Sequence, residues 1–117
     1  LSLFEEWASY CLSRKGAVKD YPFGLDPLVM KVGGKMFALL SEAGGQVHIS
    51  LKCEPEMAEL LRSQHEAVVP GYHLNKRHWN TVTVNGSLPE EEVRWMIDHS
   101  YALVVKSLTK AVRESIG

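Results

Sequence analysis

Residues 68–84 read VVPGYHLNKRHWNTVTV, and the element that closes this stretch sets the class of fold. Trp79-Asn80-Thr81-Val82-Thr83-Val84 alternates large or β-branched side chains with polar ones, the period of two that marks a half-buried strand. Just ahead of it Pro70-Gly71 breaks the chain, so Tyr72 to His78 is predicted to be a loop. That loop carries His73, Asn75, Lys76, Arg77 and His78 and no acidic residue, with His65 a little upstream. A donor-rich loop held at the mouth of a rigid strand is where binding residues tend to sit, and its chemistry prefers anions.

Downstream of this stretch, Asn85-Gly86 turns the chain, and Ser87 with Glu90 predicts a capping box around Pro89. One long helix is expected to follow. Its apolar stripe is Val93, Met96, Ile97, Tyr101, Val104, Val105, Leu108 and Val112. Upstream, Pro55 opens a helix to about His65, with Glu54, Glu56 and Glu59 in or near its first turns, where the dipole favours them. Gln46 to Leu51 is a strand, with Val47, Ile49 and Leu51 on one side and Gln46, His48 and Ser50 on the other. Gly44-Gly45 and Gly33-Gly34 are turns, and the latter joins strands Leu28–Val32 and Lys35–Leu40. Gly33-Gly34 lacks any phosphate-loop pattern and no helix follows it directly. Tyr21-Pro22-Phe23-Gly24 reads as an edge strand or a turn. Ser2 to Ser13 is a helix on the spacing of Phe4, Trp7, Ala8, Cys11 and Leu12, with Ser2 and Glu5 as a capping box.

The resulting order is α–β(3–4)–α–β–α. It predicts an α+β protein, an antiparallel sheet meander packed against helices in two layers. The chain of 117 residues fits one domain spanning 1–117. Its formal charge of −1 removes the global basic excess usual in proteins that bind DNA by neutralising phosphates. Any such case must rest on local patches. Charge does separate along the chain: the segment 14–35 is basic, 36–66 is acidic, and 67–86 holds Lys76 and Arg77 alone. Cys11 and Cys53 belong to no CxxC and to no zinc-spaced cluster, so reduced thiols in the cytoplasm are expected. No apolar run is long enough to span a bilayer and none reads as a signal peptide. Because the chain opens at Leu1 rather than at a methionine, its native N-terminus is expected to lie upstream.

Five ordered motifs carry a resemblance: Tyr21-Pro22-Phe23-Gly24, Gly34-Lys35-Met36-Phe37-Ala38-Leu39, Ser50-Leu51-Lys52-Cys53 before Pro55, PGYHLNKRHWNTV from Pro70, and Ser100-Tyr101. Together they resemble the MmcQ/YjbR-like family of small bacterial proteins over nearly the whole chain. The resemblance implies a CyaY-like, that is frataxin-like, α+β scaffold, and DNA binding through a double-wing arrangement of hairpins. It brings no reaction and no catalytic residue. Frataxins hold iron on an acidic ridge, but the first helix here offers only Glu5 and Glu6.

The residues expected to reach nucleic acid are Lys31 and Lys35 beside the Gly33-Gly34 turn, and His73, Asn75, Lys76, Arg77 and His78 in the loop. Trp79 is expected to anchor that loop by burial, with Lys76 and Arg77 pointing to solvent. His73 and His78 lack the spacing and the third partner that a metal would need, so no metal and no cofactor are expected. No nucleophile motif appears, and the expectation is a protein that is not an enzyme. DNA would then be held weakly and largely without sequence preference. A protein- or small-ligand-binding module using the same loop is the rival reading.

Overall fold

The computed structural model describes all residues, 1–117. The elements are α1 (Leu3–Leu12), β1 (Val18–Asp20), β2 (Leu28–Val32), β3 (Lys35–Ala43), β4 (Gln46–Lys52), α2 (Pro55–Gln64), β5 (Val68–Pro70), β6 (Trp79–Val84), α3 (Glu90–Ser107) and α4 (Lys110–Ile116). The strands make one antiparallel sheet in the order β1-β2-β3-β4-β6-β5. The expected α+β architecture is therefore the observed one. β1 to β4 form the meander, and β6 then slots in beside β4 and leaves the short β5 on the edge.

The helices share one face of the sheet. Trp7 and Cys11 of α1, Ala58 and Leu61 of α2, and Val93, Met96, Ile97 and Val104 of α3 join one apolar core with Met30, Leu40, Ile49 and Val82. The alternation on β4 is as expected, with Val47, Ile49 and Leu51 all in that core. At the start of α1 the Ser2 hydroxyl accepts from the Glu5 N–H while the Glu5 carboxylate accepts from the Ser2 N–H, which closes the predicted box.

Two local expectations need correction. The capping box at Ser87 does not form: α3 begins only at Glu90, and the Ser87 N–H is taken by the Asn85 side chain in a tight turn. The last helix is not continuous to Val112. Leu108 is extended with ψ of 155°, and the Thr109 hydroxyl caps a separate α4. Of the two alternatives for Tyr21 to Gly24 the chain takes the turn, closed from the Gly24 N–H to the Tyr21 carbonyl, with the edge strand β1 just before it.

One irregularity ties the sheet to α3. Met30 faces Ala38 but Lys31 faces Met36, so Phe37 is an extra residue on β3, a bulge. The bulge turns the Phe37 ring into the core, edge-on to Tyr101 at 5.4 Å. It also opens the rung that a regular ladder would place between Phe37 and Lys52. Ser100, fully buried on α3, closes the gap: its hydroxyl accepts from the Lys52 N–H at 2.9 Å and donates to the Phe37 carbonyl at 2.6 Å.

The cysteines are both free and buried. Burial pushes the Cys11 thiol up to about 12, far from its reactive form. Thiol titration of the native protein should therefore find Cys11 silent, with both cysteines reacting once urea is added. Rapid native labelling of Cys11 would mean that α1 opens readily from the sheet. No helix is long and apolar enough to cross a membrane.

Candidate nucleic-acid interface

The Tyr72–His78 loop bridges β5 and β6, and its backbone is tied down on several sides. The Gly71 N–H donates to the Trp79 carbonyl at 2.8 Å, and the Cys53 N–H donates to the His78 carbonyl at 2.8 Å. Asn75 builds the turn inside the loop: its side-chain oxygen accepts from the Arg77 N–H, and its carbonyl accepts from the His78 N–H. Arg62, reaching over from α2, donates both to the Lys76 carbonyl at 2.9 Å and to the buried Asn80 side chain at 3.0 Å.

The predicted division between anchor and ligand contacts is only partly right. Trp79 is half-buried, and the buried positions of β6 are Asn80, Thr81 and Val82. Trp79 anchors the loop mainly through its backbone and Cβ, which press on Gly71. Lys76 does not simply point to solvent, because its ammonium donates to the Gly71 carbonyl at 2.9 Å and staples the loop. Arg77 is exposed, and its guanidinium has no partner within the chain. His73 is exposed in the left-handed region, with φ of 59°, a conformation that a non-glycine residue keeps only when its surroundings impose it. Its ring lies 4.0 Å from that of Tyr72, which is 72% exposed.

The other predicted donors sit on the β2–β3 hairpin. Lys31 pairs with Asp20 at 2.9 Å, and this ammonium, followed by the Tyr21 N–H, holds the Asp20 carboxyl below its usual range. Lys35 reaches the hydroxyl and the carbonyl of Ser107 in the last turn of α3. Gly33 at the hairpin tip is overlaid by Leu108 and Val112, so the hairpin rests against the chain beyond α3.

Topology brings these residues to one end of the sheet. β2 ends there at Val32, β4 ends at Lys52, and β3 and β6 begin there at Lys35 and Trp79. α1 and α3 also run towards it, so Lys15, Lys106 and the basic residues of α4 join it. Glu54 and Glu56 at the start of α2, Glu114 on α4, and Asp20 paired with Lys31 are nearby carboxylates. The opposite end gathers Glu5 and Glu6, Glu90 to Glu92, and Glu42. A chain of net charge −1 is thus split into a basic pole and an acidic pole.

Comparison with known proteins places this architecture. A family model described as YjbR matches residues 12–103. The chain belongs to the YjbR family. It is 38% identical over 109 residues to YjbR of Escherichia coli K12, covering 93% of this chain and 92% of that protein. YyaQ of Bacillus subtilis is 32% identical over 101 residues, which is 86% of this chain and 80% of that one. The crystal structure of Deinococcus radiodurans DR2400 matches with a TM-score of 0.89 at 39% identity, over 97% of this chain and 86% of that chain. A Pseudomonas syringae protein matches at 0.75 with 28% identity, over 88% of this chain and 98% of that one.

Three of the motifs that suggested the YjbR family meet at one point, since Ser100 joins Phe37 to Lys52. Two side chains of the site were missed. Lys52 lies opposite Trp79 in register, on the face away from the helices. Its alternation with Leu51 predicts that face, but the pairing with Trp79 is written nowhere in the local sequence. Arg62 looked like an ordinary residue of the last turn of α2, and nothing in its spacing signals the reach to Lys76 and Asn80.

Proposed function

We propose that the protein binds nucleic acid through the phosphate backbone, using the basic end of the sheet, without catalysing a reaction. The observation that carries this reading is the segregation of charge on a nearly neutral chain. A duplex approaching along that axis meets a majority of cations, while Glu5, Glu6, Glu42 and Glu90 to Glu92 stay at the far pole and keep the net charge small. Arg77 is the leading contact because nothing inside the chain competes for it. Lys35 meets only neutral oxygens within the chain, whereas Lys31 is paired with the Asp20 carboxylate. His73, Asn75, Lys76 and His78 would supply the other wing, and a cytoplasmic place goes with this reading.

A small-ligand reading has less support. The pocket lined by Trp95 and His99 has room of only about 10 Å³, and the wider groove of about 180 Å³ between α1 and α3, lined by Trp7, Tyr10, Glu90 and Arg94, holds no residue of the loop. A protein partner at the same loop is the outcome that remains if nucleic acid fails.

Fluorescence anisotropy on a labelled duplex across a salt series tests the proposal. With about three to five phosphate contacts, log K should fall against log salt with a slope of about −3 to −4.5. Arg77→Ala should flatten that slope by about one while changing stability by no more than about 0.5 kcal/mol. Absence of binding at low salt sinks the reading and leaves the protein-partner alternative.

A further inference from the structure

The exposed tip of the loop carries more than charge. A protein that only neutralises phosphates has no use for a large aromatic ring held in water, yet Tyr72 is 72% exposed. Its ring is paired with His73 at a centroid distance of 4.0 Å and an interplanar angle of 56°. The backbone that carries the pair is held in place. The Tyr72 N–H donates to the Thr81 hydroxyl, which leaves the ring itself uncommitted by hydrogen bonds. His73 takes a φ of 59°, and the Asn75 turn and the Lys76 staple close the loop behind it. Fixing the backbone beneath two rings before a ligand arrives removes part of the entropy cost of stacking on them. The neighbouring charge is the unpartnered Arg77, and Lys52 and Trp79 stand side by side at the same end of the sheet, on the face away from the helices.

Aromatic rings beside cations, with no acid in the loop, fit a ligand that shows both a flat apolar face and a phosphate. In a duplex the base faces are stacked away and unreachable from the side. In a single strand they are free. We propose that Tyr72 and His73 form a stacking platform for an unpaired base, so that the ligand of the basic end is single-stranded nucleic acid. This deepens the phosphate-binding reading and rests on it. Arg77 supplies the backbone contact, and the ring pair supplies a term that salt does not screen.

The test compares a fluorescein-labelled oligo(dT) of about twelve nucleotides with a duplex of the same length, by anisotropy across a salt series. The parent should bind the single strand more tightly. Tyr72→Ala should weaken oligo(dT) binding by about 5- to 100-fold, as loss of one stacked base does, and leave the salt slope and duplex affinity unchanged. Tyr72→Phe should retain the affinity. His73→Asn, which removes the ring but keeps a side-chain donor and tolerates the left-handed backbone, provides a second loss-of-ring variant, read by a larger loss for oligo(dT) than for the duplex. Arg77→Ala should do the converse, weakening both ligands and flattening both slopes. Duplex binding equal to or tighter than oligo(dT) overturns the platform but leaves the phosphate reading standing. So does a preference for the single strand that neither ring variant reduces. Failure of both ligands to bind at low salt overturns both readings.

Discussion

Ser100→Ala should lower the melting temperature by about 8–15 °C, although it removes a single oxygen atom. The oxygen stands in for a missing rung of the sheet. Without it the Phe37 carbonyl, which is buried, and the Lys52 N–H, which is partly buried, are left without their partner across the bulge. Each orphaned buried group costs about 1–3 kcal/mol, so the pair together should cost about 2–4 kcal/mol after the smaller desolvation of the alanine is credited. Ser107→Ala on the same helix is the control, because that hydroxyl mainly returns to its own helix at the Val104 carbonyl. Thermal or urea unfolding of the two variants beside the parent decides the matter. Equal small losses for both would mean that the bulge relaxes and that α3 is not stitched to the sheet through this residue.

The bulge and its stitch also explain what could be read from the sequence. Elements governed by near neighbours were legible. The helical spacing of Trp7 and Cys11, the alternation of Val47, Ile49 and Leu51, and the paired glycines at residues 33–34 and 44–45 each act over a few residues. They led to the α+β class and to the strand order of the meander. Elements that depend on a distant partner were not legible. The bulge is set by what Phe37 and Ser100 find across 63 positions of chain. The capping box expected at Ser87 lost to Asn85, whose side chain reaches the same N–H first. The three-residue β5 is too short to show a period, and exists because β6 offers it an edge. The candidate site divides the same way. The loop and its lack of acids were visible, but the commitments of Lys31, Lys35 and Lys76 were not, since their partners lie on another strand, another helix and the loop's own far end. The basic pole follows from which way each strand and helix runs, and that emerges only once the sheet is assembled.

Gly71 is where fold and site can be tested together. Its φ is not the reason for glycine; space is. A Cβ there would lie 2.6 Å from the Trp79 Cβ, 3.0 Å from the Trp79 carbonyl oxygen and 3.1 Å from its carbon. These are atoms on or next to backbone, held by the rung from the Gly71 N–H to Trp79, so no side chain can swing aside to make room. Gly71→Ala should therefore cost about 3 kcal/mol or more, the upper part of the range for overpacking. Gly34→Ala is the contrast. It sits at φ of 82° with nothing within 4 Å of the added carbon, so only backbone strain of about 1 kcal/mol is expected. The two variants should part further in binding. Forcing β5 off β6 moves the Gly71 carbonyl that Lys76 grips, and with it Tyr72, His73 and Arg77. Gly71→Ala should then lose nucleic-acid affinity at temperatures where it is still folded, whereas Gly34→Ala should keep most of it. The check is circular dichroism melting followed by anisotropy well below both transitions. A Gly71→Ala protein as stable as Gly34→Ala would contradict the tight seat of the loop on Trp79. A protein destabilised yet binding normally would place the nucleic-acid contact away from the loop, on the hairpin side of the basic end.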